Sequence, residues 1–225
     1  MSTHALDPGG AITARDIDLR LWLVDLDDAA ERDDEHLIDD ELARAARFVR
    51  ESDRRRYLAS HAALRRVLGS STRWPAGPHG KPGLPSAPYF NLSRRDGVAL
   101  IGVSATHELG VDVETLRQVT DAAALADIHF TPRERAAVAA ASGGQRDLAF
   151  LRVWTRKEAC MKATGRGLSL APSSFECGAT ADSTTVHVDV DGQFWTLLVH
   201  SPDVAAHGAV AAWALVLAAG TAAVP

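Results

Sequence analysis

Two Asp-Gly dipeptides, one in each half of the 225-residue chain, constrain the fold most. Asp96-Gly97 and Asp191-Gly192 each stand between two apolar segments. Asp-Gly is a preferred turn of β-hairpins because both positions tolerate a positive φ. Each half is therefore predicted to contain an antiparallel strand pair: residues 89–93 with 98–104, and residues 186–190 with 194–199.

The remaining segments predict further strands and five helices. Strands are expected at 18–25, 111–114 and 211–217, where residues alternate or are wholly apolar. Helical spacing of apolar residues predicts helices at 29–49, 52–68, 121–128, 132–141 and 145–164. Strands and helices thus occur in both halves, which indicates an α+β fold of two lobes, each a small, mostly antiparallel sheet packed with helices. A polar turn at 104–110 sets the predicted boundary, giving an N-terminal lobe of residues 1–106 and a C-terminal lobe of 107–225.

The segment from Ala209 to Val224 is uncharged and apolar, but it is mostly alanine. A membrane-spanning helix needs about 20 strongly apolar residues, so a buried strand is predicted here instead. The first twenty residues contain acids and no long apolar stretch, so we expect no signal peptide. Cys160 and Cys177 lack the spacing of a zinc site or disulfide framework. We expect a cytoplasmic protein that does not enter a membrane.

Charge is distributed unevenly along the chain, although the net charge is only −5. Residues 1–40 carry twelve acids and three bases, whereas residues 41–95 carry three acids and twelve bases, eleven of them arginine. The planar guanidinium group suits phosphate well, so a phosphate-rich ligand is plausible. The alternative is a pair of solvated helix faces that complement the acidic segment. No nucleic-acid motif occurs, and we expect no nucleic acid partner.

Three carboxylates form the candidate metal site. In the strand GVDVE, Asp112 and Glu114 share one face, about 7 Å apart, because side chains alternate along a strand. Glu158, in WTRKEACMKATGRGL, lies beside the apolar stripe of its helix. Three oxygen donors without a histidine or cysteine ligand set favour a hard cation, above all Mg²⁺. The alternative for Asp112 and Glu114 is a strand edge whose carboxylates are simply solvated. The alternative for Glu158 is a side chain that bends out to water or pairs with a neighbouring cationic side chain.

Together these motifs resemble those of the phosphopantetheinyl transferases of the surfactin-synthetase type. GVDVE and WTRKEACMKATGRGL occur in family order after FVRESDRRRYLASHAALRRVLG, HGKP and FNLS. The resemblance implies a pseudo-symmetric, two-lobed α+β monomer that binds coenzyme A and Mg²⁺, or Mn²⁺ as a substitute, in the cleft between its lobes. It further implies transfer of the phosphopantetheine arm to a serine of an acyl or peptidyl carrier protein, with release of adenosine 3',5'-bisphosphate. Carriers for peptide, polyketide and fatty-acid synthesis all stay open.

The resemblance also implies roles for individual residues. The implied metal ligands are Asp112, Glu114 and Glu158, the implied coenzyme A contacts are Arg44, Arg56, Lys81, Pro82 and Ser93, and the implied pyrophosphate contacts are Lys157 and Lys162. Glu158 and Lys162 would also serve catalysis. Arg94 stands where the family has histidine; it can supply a permanently charged phosphate contact of different geometry, but no neutral imidazole.

Glu134, in FTPRERAAV, aligns with the family's proposed general base. Thr131 and Glu134 also form a Thr-x-x-Glu capping box with Pro132 at the first helical position, which explains the glutamate equally well. Water on Mg²⁺, or Glu158 itself, are alternative proton acceptors. Two other functions stay open as alternatives: a Mg²⁺-dependent phosphohydrolase, and a non-catalytic binder of coenzyme A or carrier protein.

Overall fold

The computed structural model describes residues 3–6, 17–28, 36–77, 80–84 and 86–221. In these ranges it contains two four-stranded antiparallel sheets, with strand orders β1-β2-β4-β3 and β5-β8-β7-β6, and five α-helices. This confirms the α+β prediction. The strands are β1 (Thr3–Leu6), β2 (Leu19–Asp25), β3 (Tyr89–Arg95), β4 (Val98–Ser104), β5 (Leu109–Thr115), β6 (Thr184–Val190), β7 (Gln193–His200) and β8 (Ala209–Thr221). The helices are α1 (Asp39–Ala45), α2 (Glu51–Leu68), α3 (Ala122–His129), α4 (Pro132–Ala140) and α5 (Gly143–Ala163).

Both predicted hairpins form. β3 pairs with β4 from Arg95↔Val98 onward, and β6 pairs with β7 from Val190↔Gln193 onward. Asp96 and Asp191 have φ values of 48° and 52°, the left-handed conformation that aspartate tolerates better than most residues. The Asp-Gly signal therefore located both turns correctly.

The predicted helix at 29–49 is wrong in extent. Residues 29–35 lie outside the described residues, and the helix in the described part covers only Asp39–Ala45. Three acids, Asp39, Asp40 and Glu41, form its first turn, where negative charge interacts favourably with free N–H groups. The backbone N–H of Ile38 donates to Glu41 Oε2 at 3.2 Å. These acids mark a helix start, whereas the predicted range of 29–49 includes them in the helix interior.

The two sheets pack face to face between helices. Leu21, Leu23 and Leu100 of the first sheet share a buried cluster with Val111 and Trp213 of the second. The outer face of the first sheet packs on α2, and the outer face of the second packs on α5. β8 alternates between the two cores of the second sheet, which explains its uncharged sequence.

The chain passes from the first sheet to the second between Ser104 and Leu109. The two lobes share the apolar core between the sheets, and their division into domains stays a prediction. None of the helices in the described residues combines the length and apolar character needed to cross a bilayer.

Candidate active site

β3 presents two sets of side chains to opposite sides. Asn91, Ser93 and Arg95 face β5: Asn91 Oδ1 accepts from Val111 N at 2.8 Å, and Ser93 Oγ donates to Asp112 at 2.8 Å. Phe90 and Leu92 pack on the other side, in the cluster with α2. This alternation, inherent to a strand, sends the adjacent residues Ser93 and Arg94 to different parts of the molecule.

Gly110 determines how closely α5 approaches β5. A Cβ atom at this position would lie 2.1 Å from the carbonyl oxygen of Ala159 and 2.5 Å from the amide nitrogen of Ala163. Since both of those atoms are helix backbone, no side chain could move aside to make room. The missing side chain therefore allows Glu158 and Lys162, one helical turn apart on α5, to reach β5 beside Asp112.

Asp112, Ser93 and Lys162 form a hydrogen-bonded cluster. Lys162 Nζ lies 2.6 Å from Asp112 Oδ1 and 3.1 Å from both Ser93 Oγ and the carbonyl oxygen of Val111. Asp112 Oδ2 is buried and has no hydrogen-bond partner among the residues that the structure describes. A buried carboxylate oxygen without a donor is costly, so this atom is suited to accept a ligand that carries positive charge.

Glu158 faces the same cluster without a hydrogen bond or ion pair among the described residues. Burial raises the pKa of Glu158, and the Asp112 and Glu114 carboxylates raise it further, while Lys162 opposes them. The carboxylates are thus close enough to repel each other, and a cation between them would relieve that repulsion. Asp112 and Glu158 fit a hard, oxygen-seeking cation.

Glu114 is already paired. Its Oε2 lies 2.5 Å from Arg117 Nη1 and 3.4 Å from Arg95 Nε. Within the described part of the chain, no three acidic, histidine or cysteine side chains come together as a metal cluster. The structure therefore brings Asp112 and Glu158 to one place, with Glu114 held beside them by two arginines.

A second cluster of positive charge surrounds the ring of Tyr57 on α2. The guanidinium groups of Arg44 and Arg94 lie 5.8 Å and 5.2 Å from the ring centroid. Arg94 also lies over Phe48, and a cleft of about 340 Å³ is lined by Arg44, Arg47 and Phe48. Burial lowers the pKa of Arg94, and Arg44 contributes to the same effect. Neither arginine has an ion-pair partner among the described residues, so the cluster offers unneutralised charge to an anion.

Arg56 is engaged elsewhere. Its Nε and Nη2 donate to the two carboxylate oxygens of Asp27 at 2.8 Å and 2.6 Å. The side-chain hydrogen bond to Arg56 is the main cause of the lowered pKa of Asp27. This two-pronged pair commits the guanidinium to the surface of the first sheet.

Lys81 and Pro82 border a cavity of about 520 Å³ at the junction of the lobes. The loop that carries them forms one wall, and the end of α5 with Trp195 and Val216 forms another. Lys81 Nζ donates to Glu108 at 2.6 Å and to the carbonyl oxygen of Leu109 at 2.8 Å. The loop is thus tied to the first residue of β5.

Comparison with known proteins supplies the deciding observation. A model of the 4'-phosphopantetheinyl transferase superfamily matches residues 108–214. The chain is also 35% identical, over 167 residues, to the 4'-phosphopantetheinyl transferase HetI of Nostoc sp.. The matched region is 68% of this chain and 70% of HetI. The chain belongs to the 4'-phosphopantetheinyl transferase superfamily. It is therefore an enzyme of the phosphopantetheinyl transferase class.

Other members of the superfamily match shorter parts. AcpT of Escherichia coli (strain K12) is 37% identical over 115 residues, which are 50% of this chain and 58% of AcpT. The transferase ffp of Bacillus subtilis is 28% identical over 138 residues, which are 57% of this chain and 60% of ffp. Because relatives of several kinds match at modest identity, the surfactin-synthetase type stays a prediction.

The segment matched by the superfamily model contains β5 and α5 but not the arginines of the first lobe. It also contains Glu134 and Lys157, which form a separate buried cluster. Lys157 Nζ lies 2.7 Å from Glu134 Oε2 and donates to the carbonyl oxygens of Pro172 and Phe175. Neither side chain makes a hydrogen bond to Asp112 or Lys162.

Glu134 also completes the predicted capping box of α4. Its Oε2 accepts from the N–H of Thr131, and its Oε1 accepts from the N–H of Cys177. Burial opposes ionisation of this carboxyl, but Lys157 and these hydrogen bonds outweigh it, so the pKa of Glu134 lies below its usual value. Its role as general base stays a prediction, as does the phosphate contact of Lys157.

Sequence reasoning missed three contributors to this superfamily member's site. Tyr57 was seen only as part of a helix, although it organises Arg44 and Arg94. Asn91 was seen only as part of a motif, and Gly110 only as part of a turn. Gly110 had a readable signal, since a glycine beside buried strand residues often marks a close backbone approach.

Proposed function

We propose that this protein transfers the phosphopantetheine arm of coenzyme A to a serine hydroxyl of an apo carrier protein, in a reaction that depends on Mg²⁺. The observation that supports this most is the cluster of Asp112, Lys162 and Glu158, where a buried carboxylate oxygen lacks a partner beside a lysine and a second carboxylate. Such a site combines cation binding with anion binding, as a diphosphate substrate requires.

Asp112 and Glu158 are proposed to hold the metal, and Mn²⁺ is proposed to substitute for Mg²⁺. Glu114 would join them or act through its charge, since two arginines hold it. When bound, Mg²⁺ supplies Lewis-acid stabilisation of charge that develops on the diphosphate oxygens. Lys162 supplies a further fixed positive charge at the same place.

The 3'-phosphate of coenzyme A is proposed to bind at the Tyr57 cluster, between Arg44 and Arg94. Their guanidinium groups converge on one ring without a carboxylate partner in the described ranges, which favours a doubly charged group. Arginine in place of the family histidine keeps this charge at every physiological pH. Lys81 and Pro82, at the neighbouring cavity, are proposed to contact the nucleotide.

The serine Oγ would attack the phosphorus that carries the pantetheine arm, and the P–O bond to adenosine 3',5'-bisphosphate would break. The serine proton needs an acceptor within hydrogen-bond reach. Glu158 lies in the open cluster without a hydrogen bond or ion pair among the described residues, which makes it the preferred acceptor in this proposal. Glu134 is only 1% exposed and is fixed by Lys157, so we prefer Glu158 to it as the proposed acceptor.

The decisive experiment is intact-mass spectrometry of purified apo carrier proteins incubated with this protein, coenzyme A and Mg²⁺. We expect a mass gain of one phosphopantetheine group that disappears with a chelator and in Asp112→Ala. Release of free phosphopantetheine without a carrier would instead indicate the phosphohydrolase. Binding of coenzyme A with no transfer to peptide, polyketide or fatty-acid carriers would indicate the binder. We further propose that the protein is a cytoplasmic monomer that binds its carrier protein transiently. We propose no nucleic acid partner and no membrane contact.

A further inference from the structure

The outer edge of β5 is closed by side chains instead of a neighbouring strand. β5 lies at the end of the second sheet and faces β3, which lies at the end of the first, and the two sheets do not join there. Three backbone groups on this edge are bound by side chains. They are the carbonyl of Leu109 by Lys81 at 2.8 Å, the N–H of Val111 by Asn91 at 2.8 Å, and the carbonyl of Val111 by Lys162 at 3.1 Å.

Asn91 differs from the two lysines in this arrangement. Lys81 and Lys162 also contact the carboxylates Glu108 and Asp112, and both are proposed to contact the cosubstrate. Asn91 is neutral and buried at 6% exposure, and it is not among the residues proposed to contact the cosubstrate. We therefore expect the bond between Asn91 and Val111 to stay in place when the lysines contact a ligand.

The bond at Val111 affects Asp112 directly. Val111 precedes Asp112, and its own side chain is fully buried in the core between the sheets. Because its N–H is held from β3 and its side chain is held in the core, the backbone of Val111 is fixed directly before Asp112, the residue that carries the carboxylate. Ser93, two residues from Asn91 on the same face of β3, then holds Asp112 Oδ1.

We propose that Asn91 is a positioning residue for metal binding: its side-chain oxygen, through the N–H of Val111, holds the Asp112 carboxylate where it and Glu158 can share one divalent cation. This inference rests on the metal site of the proposed function. It does not require that the protein transfer phosphopantetheine. Outer partners of metal ligands commonly affect metal affinity by about 10- to 100-fold when removed.

The test measures metal binding without substrate. Mn²⁺ is titrated into wild type, Asn91→Leu and Asn91→Asp, and free Mn²⁺ is followed by electron paramagnetic resonance. Asn91→Leu keeps the size but removes the acceptor, and we expect it to weaken Mn²⁺ binding about tenfold. Asn91→Asp keeps an acceptor oxygen and is expected to retain the affinity. Coenzyme A binding without metal, measured by calorimetry, is expected to stay unchanged in both.

Ser60→Ala is the matched control. Ser60 is fully buried on α2, donates to the carbonyl oxygen of Tyr57, and lies on the far side of the first sheet from β5. The Ser60→Ala substitution should lower the melting temperature without affecting Mn²⁺ affinity. A folded Asn91→Leu protein with wild-type Mn²⁺ affinity and only a lower melting temperature would overturn the proposal. If Asn91→Leu does not fold, Asn91→Ser, which is too short to reach Val111, takes its place with the same two outcomes.

Failure of the proposed function leaves a different result. A protein that transfers nothing to any carrier, yet loses Mn²⁺ affinity in Asn91→Leu, would refute the transfer reaction and support the positioning role. If the wild-type protein transfers phosphopantetheine but Asn91→Leu keeps its Mn²⁺ affinity, the transfer reaction is supported and the positioning role of Asn91 is refuted.

Discussion

Lys157 and Glu158 are neighbours on α5, yet they belong to two clusters of opposite character. Lys157 is 1% exposed, and its ammonium group is bound by Glu134 and two backbone carbonyls. Glu158 is partly exposed, has a raised pKa, and faces Asp112 without a hydrogen bond. One helix thus carries a satisfied ion pair on one side and an unsatisfied group of charges on the other.

The difference teaches how to separate structural from functional charge in this fold. In the Glu134 cluster, donors and acceptors match, so removing one partner exposes the other to an apolar core. In the Asp112 cluster, a buried oxygen has no hydrogen-bond partner in the described part of the chain, and the Glu158 carboxylate is repelled by its neighbours. Perturbed, incompletely paired groups of this kind are typical of active sites.

The largest effect is expected for Glu158→Gln. Transfer should fall by about a thousandfold or more, because the variant loses a proposed metal ligand worth several kcal/mol of charge stabilisation in the transition state. Stability should be unchanged or higher, because the raised pKa shows that the fold disfavours this negative charge. Mass-spectrometric rates and thermal unfolding test the two parts. If Glu158→Gln transfers at the wild-type rate, the Asp112 cluster is not functionally different from the Glu134 cluster.

Glu134→Gln should produce the opposite result. Loss of the carboxylate leaves Lys157 buried and unpaired, which should lower the free energy of unfolding by about 3–5 kcal/mol. Transfer per folded molecule should stay near wild type. Urea unfolding and rates below the melting temperature give the two values. A large loss of rate with unchanged stability would identify Glu134 as the general base instead.

Acid should affect the Glu134 pair in a predictable direction. The folded-state pKa of Glu134 is lowered, so its ion pair contributes full stability above the ordinary glutamate value of about 4.3. That contribution is lost as the pH falls through the lower, folded-state pKa. Unfolding free energies of wild type and Glu134→Gln, measured from pH 6 down to about 3, should therefore converge in acid. A constant gap would contradict this assignment.

Arg94→Ala should raise the KM for coenzyme A about tenfold with little change in kcat, since a charged hydrogen bond to phosphate contributes about 1.5–3 kcal/mol. Dephospho-coenzyme A, which lacks the 3'-phosphate, should show a much smaller difference between wild type and variant. If Arg94→Ala raises the KM equally for both substrates, Arg94 does not contact the 3'-phosphate. Arg94→His should give an intermediate KM that rises with pH.

The smallest effect is expected for Arg56→Ala. The family resemblance predicts that Arg56 contacts coenzyme A, and in the structure its guanidinium is held by Asp27 on the surface. We expect a KM increase well below that of Arg94→Ala and a stability loss of about 0.2–1 kcal/mol. Asp27→Ala is the matched control, because it frees Arg56 without removing it. A KM increase in Arg56→Ala as large as that of Arg94→Ala would restore the original expectation.

Much of the fold follows from local sequence rules. The Asp-Gly turns located both hairpins, and α2 ends at Leu68, the predicted last residue, with Gly69 beyond it in the left-handed conformation at φ 59°. Alternation placed Asp112 and Glu114 on the face of β5 opposite Val111 and Val113, and both valines lie in the core between the sheets. These features depend on neighbours in the chain, so local rules suffice.

Helix geometry would have separated the two lysines. Lys157 and Lys162 are five residues apart, a rotation of about 140° around the helix, so their side chains leave it on different faces. Glu158 and Lys162 are four residues apart and share a face. By contrast, the pairing of Arg56 with Asp27, and of Arg44 and Arg94 around Tyr57, joins distant segments. Such contacts arise from packing, which no local pattern reports.

The side chains along β5 have a consequence for solubility. An open strand edge is a template on which another chain can add a strand, and proteins protect such edges with charge, especially lysine. Lys81, Asn91 and Lys162 occupy that edge here, so the residues that arrange the site also block intermolecular sheet growth. Variants that clear this edge should be screened for aggregation as well as for catalysis.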